Sequence, residues 1–168
     1  MQRPTIASSL NHVAYATANT AETVRFYTEV MGFRLAHAVR GDTDPETGSP
    51  RPFLHTFFEM GSGEVIAFFD IEGLTPSERD SLPRWVRHLA LSVDSREAIA
   101  AWKTYLEGRG MHVSGPVDHD RVWLSIYFRD PNGITLELTH QARALTQADA
   151  DEAAAMVAAW NAERTDAA

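Results

Sequence analysis

The chain has 168 residues, with 15 Lys and Arg against 23 Asp and Glu, for a formal net charge of −8. That balance excludes a basic groove for nucleic acid or for an anionic membrane surface. There is no Cys, which excludes disulfides, thiolate metal sites and Cys nucleophiles and suits a reducing compartment. Hydrophobic residues make up 44% and charged residues 23%, the balance of a globular domain able to bury one good core. The apolar runs fall far short of a membrane span, and no signal-like segment follows Met1-Gln2-Arg3-Pro4-Thr5. The expectation is a soluble, cytoplasmic protein with no nucleic-acid or membrane partner.

In chain order, residues 10–17 alternate as a strand. A helix is expected over 21–31, with Thr20 as N-cap, Val24, Tyr27 and Met31 on its core face and Gly32 at its end. Residues 41–52 are polar and rich in turn formers, which predicts a mobile loop. Residues 57–67 read as a hairpin, and 71–84 as a link with a short helix after Thr75-Pro76. Residues 86–93 read as a strand. Asp94-Ser95-Arg96-Glu97 is a capping-box variant, followed by a helical stripe at Ile99, Trp102 and Leu106. Asp130-Pro131-Asn132-Gly133 is a turn between two strands. After Gln141 the chain becomes Ala-rich. A helix beginning near Thr146 carries Met156 and Trp160 on one face, expected to pack outside the sheet, with a lid or a subunit contact as alternatives.

The two halves repeat. His12 falls on His88; Tyr27, Glu29 and Gly32 fall on Tyr105, Glu107 and Gly110; Gly63 falls on Gly133. Each half reads as strand, helix, strand, strand, strand, an α+β arrangement. Alternation puts His12 with Ala14 and Ala16, opposite Val13 and Tyr15, and His88 with Ala90 and Ser92, opposite Leu89, Leu91 and Val93. On the last strand Thr135, Glu137 and Thr139 oppose Ile134, Leu136 and Leu138. If the halves pack pseudo-symmetrically, two imidazoles and one carboxylate meet in a cavity lined by small side chains. A buried carboxylate there needs a partner or a metal. His12, His88 and Glu137 make a 2-His-1-carboxylate set suited to Fe(II) or Mn(II) with open positions.

Four stretches resemble the vicinal oxygen chelate superfamily, which includes glyoxalase I, extradiol dioxygenases, fosfomycin-resistance proteins, methylmalonyl-CoA epimerase and bleomycin-binding proteins. They are Asn11-His12-Val13-Ala14, Phe26 to Phe33, His88 to Val93, and Tyr127 to Glu137. The resemblance implies tandem βαβββ modules, about 9–72 and 85–140, forming an eight-stranded cup-shaped mixed sheet with flanking helices around a divalent metal. The domain spans 1–140, and 141–168 is a helical extension outside the resemblance.

Within the superfamily, the position matching Glu137 in the first half is Ala67, so the fourth ligand of the isomerases is missing. A three-ligand site resembles the ring-cleaving dioxygenases, whose pattern also places a Tyr ten residues before the metal Glu, where Tyr127 stands. That resemblance implies catalytic roles for Tyr127, His55 and His119. The aromatics Phe53, Phe57, Phe69 and Trp123 are candidates for an apolar pocket that takes a ring, with core packing the alternative for at least two of them. His37, His112 and His140 are read as surface residues or as residues backing the site, and Asp130 as a turn residue. The expected activity is Fe(II)-dependent extradiol cleavage of a small aromatic diol by dioxygen, in a homodimer. A glyoxalase-type isomerase, a Mn(II) thiol transferase of the fosfomycin-resistance kind, and a bleomycin-resistance-type binding protein are the alternatives. Arg121 and Arg129 are available to the second of these, but form no cluster.

Overall fold

The computed structural model of the chain describes residues 9–74 and 86–165, with side chains to 160. Among these residues stand eight strands and three helices, in an α+β arrangement of two four-stranded sheets. The chain divides into two compact units. The first is Met1–Leu89 with Arg129–Leu136; the second is Ala90–Phe128 with Glu137–Ala168. The short helix expected after Thr75-Pro76 lies outside the described residues. Among the described residues no helix is long and apolar enough to cross a membrane.

The first sheet has the order β1-β4-β3-β2, with β1 His12–Ala16, β2 Arg34–Thr43, β3 Pro50–Glu59 and β4 Val65–Ile71. β1 runs parallel to β4, and the other pairs are antiparallel. The register sets two faces. Phe58, Ile66 and Phe68 turn to one side and are wholly buried, with the Tyr27 ring 5.3 Å from Phe58 and 5.0 Å from Phe68. Burying each such ring is worth about 1.5–3 kcal/mol. The other face carries His12, Ala14, Ala16, Ala67, Phe69, His55 and Phe57. The alternation expected for β1 is therefore present.

The loop expected over 41–52 is shorter than its composition suggests. β2 and β3 pair as far as Thr43 and Pro50, and only 44–49 form the connection. Polar residues persist in these strands because β2 is the sheet edge, where most side chains meet water. Asp44 closes the connection by accepting from the backbone N–H groups of Glu46 and Thr47.

The first helix also departs from expectation. α1 spans Thr20–Arg25 and continues as a single π-helical stretch, Phe26–Val30. Its N-cap is Asn19, whose Oδ1 accepts from Glu22 N at 3.1 Å. The expected cap, Thr20, instead donates its hydroxyl to Asp70 Oδ2 at 2.6 Å. The wider turn buries both Phe26 and Tyr27, and Gly32 ends it at a φ of +74°.

The second sheet has the order β5-β8-β7-β6, with β5 Leu89–Ser92, β6 Ser114–His119, β7 Trp123–Arg129 and β8 Thr135–Gln141. β5 is shorter than the expected 86–93. Val86, Arg87 and His88 form an exposed turn before it, so His88 precedes the strand. Helix α2, Arg96–Gly108, is capped by Ser95 Oγ accepting from Ala98 N at 3.1 Å, and buries Ile99 and Leu106. Trp102 is half-buried.

Helix α3, Gln147–Thr165, begins after Arg143 closes an ion pair on Asp149 at 2.6 Å. It does not pack on a sheet along 151–160, where every residue is exposed. Met156 and Trp160 remain 65% and 56% accessible. Apolar residues are spread around this helix without a sustained core-facing stripe, so nothing in its pattern holds it down.

Candidate functional site

In the first unit the functional side chains share the face of the sheet opposite Tyr27. His12 opens β1 and is exposed. Its Nδ1 lies 2.7 Å from Asn11 Oδ1. The amide oxygen only accepts, so Nδ1 carries the proton and the Nε2 lone pair is free. Such a partner is what fixes the tautomer and ring plane of metal-binding imidazoles.

Phe57 centres an aromatic series on the same face. Its ring centroid lies 6.3 Å from His12, 5.6 Å from His37 and 4.1 Å from His55. His55 stacks on Phe69 at 3.5 Å, and Phe69 meets Phe53 edge-on at 5.7 Å. His55 Nε2 is buried and has no hydrogen-bond partner among the described residues. Burial, and then the neighbouring His12 and His37, push its imidazole below the ordinary 6.5, so the ring is neutral at pH 7. Of the two places expected for His37, the surface or a position backing the site, it takes the second. A bulge between Leu35 and His37 moves it onto the face of Phe57 while Leu35 pairs with Phe58 on the other. Strict alternation hides that shift.

Ala67, where the isomerases' fourth ligand would stand, is fully buried between Ala14 and Phe57 in the sheet. Asp70 faces away, toward Thr20. No carboxylate replaces the missing ligand at this position.

In the second unit Glu137 is the third residue of β8 and only 6% exposed. It is hydrogen-bonded to Tyr127 on β7. The Tyr127 hydroxyl also lies 2.8 Å from His119 Nε2. The carboxylate only accepts, so the phenol donates to it and the Nε2–H of His119 donates to the phenol oxygen. Burial, and then the charge of Glu137, hold the Tyr127 phenol above its ordinary 10.0. His119 is therefore not a solvated loop residue. It ends β6 opposite Trp123, and the turn beyond it uses Asp120 and Arg121, both with positive φ. Trp123 is 36% exposed at that end of β7. Ser125, absent from the sequence reading, joins Thr139 on this face by donating its hydroxyl to the Thr139 hydroxyl oxygen at 2.8 Å.

Tyr127, His119 and Glu137 are thus brought together, as are His12, His55, Phe57 and, through Phe69, Phe53. Among the described residues no three His, Asp or Glu side chains form a group that could hold a metal ion. His88 lies exposed before β5 and has an interaction partner of its own. The donor set nevertheless fits a divalent metal chemically: an imidazole locked by Asn11 with its outer nitrogen free, a second imidazole, and a buried carboxylate held by a phenol.

Comparison with known proteins places this geometry in context. The model of the glyoxalase/bleomycin resistance protein/dioxygenase superfamily matches residues 9–138. A 2-epi-5-epi-valiolone epimerase from an Actinomyces species is 30% identical over 155 residues, covering 79% of this chain and 79% of that protein. A Bacillus subtilis (strain 168) protein named as a ring-cleaving dioxygenase, MhqA, is 37% identical over 68 residues, 37% of this chain and 21% of its own length. The solved structure of the fosfomycin resistance protein FosX from Listeria monocytogenes, complexed with Mn(II) and sulfate, is similar with a TM-score of 0.56 and 19% identity. That likeness covers 83% of this chain and 96% of FosX. With the family match spanning both repeats, the chain belongs to the glyoxalase/bleomycin resistance protein/dioxygenase superfamily, the vicinal oxygen chelate proteins.

Proposed function

We propose that the protein is a metal-dependent enzyme of this superfamily that cleaves the ring of a catechol-type diol with dioxygen, using Fe(II) held by His12, His88 and Glu137. The observation that carries this reading is the hydrogen-bonded series from His119 through Tyr127 to Glu137. It joins a proton-carrying imidazole to a carboxylate of the ligand set through a phenol that can donate to a substrate oxygen. When bound, the metal supplies a chelating centre for two vicinal oxygens and an electron path to dioxygen.

The chain's own residues do the rest. Asn11 keeps the His12 ring in the tautomer that presents Nε2. Neutral His55 takes a phenolic proton on a ring nitrogen, since burial disfavours its charged form only until a negative charge stands beside it. Tyr127 turns its one phenolic proton from Glu137 to a substrate oxygen and holds it there, while the Nε2–H of His119 donates to the phenol oxygen. Phe53, Phe57 and Phe69 offer ring edges and faces to an aromatic ligand and exclude water from His55. Trp123 does the same beside His119. We read the enzyme as a cytoplasmic homodimer, supported by exposed apolar side chains such as Met156 and Trp160 that a second copy would cover.

A second reading has a specific support of its own. The epimerase relative matches over most of both lengths, and epimerisation moves protons without dioxygen. Anaerobic loading with Fe(II), followed by a panel of catechols with an oxygen electrode and absorbance detection, separates the two. Oxygen uptake matched by a yellow ring-opened product is expected. Solvent deuterium entering a hydroxyketone substrate, with no oxygen uptake from any catechol, would replace ring cleavage by epimerisation.

A further inference from the structure

Asp130 lies in the turn between β7 and β8, yet it is only 5% exposed and belongs to the first unit. Four donors surround its carboxylate. Oδ1 accepts from the backbone N–H of Asn132 at 2.9 Å and of Ile134 at 2.8 Å. Oδ2 accepts from the Tyr27 hydroxyl at 3.1 Å and from Asn132 Nδ2 at 3.1 Å. Asn132 Nδ2 also reaches Thr23 Oγ1 at 3.1 Å, and Thr23 meets the Thr17 hydroxyl at 2.9 Å. Tyr27 and Thr23 are fully buried.

A turn alone needs only the two backbone bonds, which an exposed Asp makes equally well. A buried carboxylate is costly and persists where every lone pair is met. Here one of the four donors, the Tyr27 hydroxyl, comes from the π-helical stretch far from the turn in sequence, and Thr23 of α1 accepts from the Asn132 amide that also bonds Asp130. The turn passes directly into β8, whose third residue is Glu137.

We propose that Tyr27 and Asp130 form a clasp that fixes the start of β8 and so positions the Glu137 carboxylate. Tyr27 and Asp130 touch no substrate in this scheme; they are positioning residues acting through Ile134 and the first residues of β8. The consequence for metal binding rests on the proposed role of Glu137 as a ligand. The consequence for β8 does not.

The test uses the full chain and two variants, Tyr27→Phe and Ile99→Val. The second is in α2 of the other unit, makes none of the hydrogen bonds of the clasp, and serves as a control for loss of stability alone. In metal-free protein, amide hydrogen exchange at residues 136–138 is expected to rise about tenfold or more in Tyr27→Phe and not in Ile99→Val, compared at matched distance below each midpoint of unfolding. Unchanged exchange in Tyr27→Phe overturns the clasp. Mn(II) binding, followed by the electron paramagnetic resonance of the free ion, is expected to weaken about tenfold in Tyr27→Phe only. Raised exchange with undiminished Mn(II) affinity overturns the positioning of Glu137. If the wild-type chain binds no Mn(II), the metal reading fails while the clasp is still decided by the exchange data.

Discussion

His119 Nε2 stands 2.8 Å from the Tyr127 hydroxyl, and the same hydroxyl bonds Glu137. One phenol thus connects an imidazole at the end of β6 to a buried carboxylate in the middle of β8. The arrangement moves charge poorly without the phenolic proton. Tyr127→Phe is expected to lower kcat for ring cleavage by about 10²–10⁴-fold, the range for loss of a proton-transfer group. Metal affinity is expected to fall as well, because the phenol holds the Glu137 carboxylate, so kcat is compared at full metal loading. Steady-state rates on the best catechol check this, and a kcat within a few-fold of wild type would remove Tyr127 from the mechanism.

In the proposed site Asn11 would act on the metal through His12. Its Oδ1 is the acceptor that holds the Nδ1 proton. Asn11→Ala frees the ring to rotate and to change tautomer. Metal affinity is expected to fall about 10–100-fold, as for other partners of ligating imidazoles. Equilibrium dialysis under nitrogen measures it.

Tyr27→Phe removes one donor from a buried carboxylate while keeping the ring against Phe58 and Phe68. The cost is that of an unmet buried acceptor, about 1–3 kcal/mol. Urea unfolding should show a lower midpoint with an unchanged slope. A midpoint equal to wild type would mean that water or Asn132 replaces the phenol.

The pH dependence of stability gives Asp130 a signature. Burial raises its carboxyl above the ordinary 3.8, against the pull of hydrogen bonds from Asn132, Ile134 and Tyr27. Between 3.8 and the higher folded value, the folded chain holds more of this proton than the unfolded chain. The stabilisation from this group is complete below 3.8 and is lost as pH rises through the folded value. Asn at position 130 lacks it. The difference in unfolding free energy between wild type and Asp130→Asn should therefore shift toward wild type as pH falls through that window. Urea midpoints at a series of pH values check the sign; a shift toward the variant contradicts it.

Much of this was legible because the chain is duplicated and its strands are half-buried. Period-two alternation on β1 and β8 separates His12 and Glu137 from the apolar faces, and the turn at Asp130 is written in its residue types. What stayed hidden depends on irregular backbone or on distant contacts. The bulge before His37 reverses its face, and the π-helical turn buries Phe26 beside Tyr27, changes that strict periods cannot register. Composition made 41–52 look like a loop because an edge strand tolerates the same polar residues. The Tyr27–Asp130 bond joins positions 103 apart, and neither residue alone signals the other. The exposure of Met156 and Trp160 is equally silent in sequence, where an apolar pair four apart reads as a packing face.

His12, His88 and Glu137 are the proposed ligands of one divalent metal. Anaerobic titration of the purified full chain with Fe(II) or Mn(II), repeated on His12→Ala, His88→Ala and Glu137→Ala, tests that assignment most directly. The expected result is one metal per chain in wild type and loss of tight binding in each variant. Wild-type protein that retains no metal, or three variants that bind as wild type does, would contradict it.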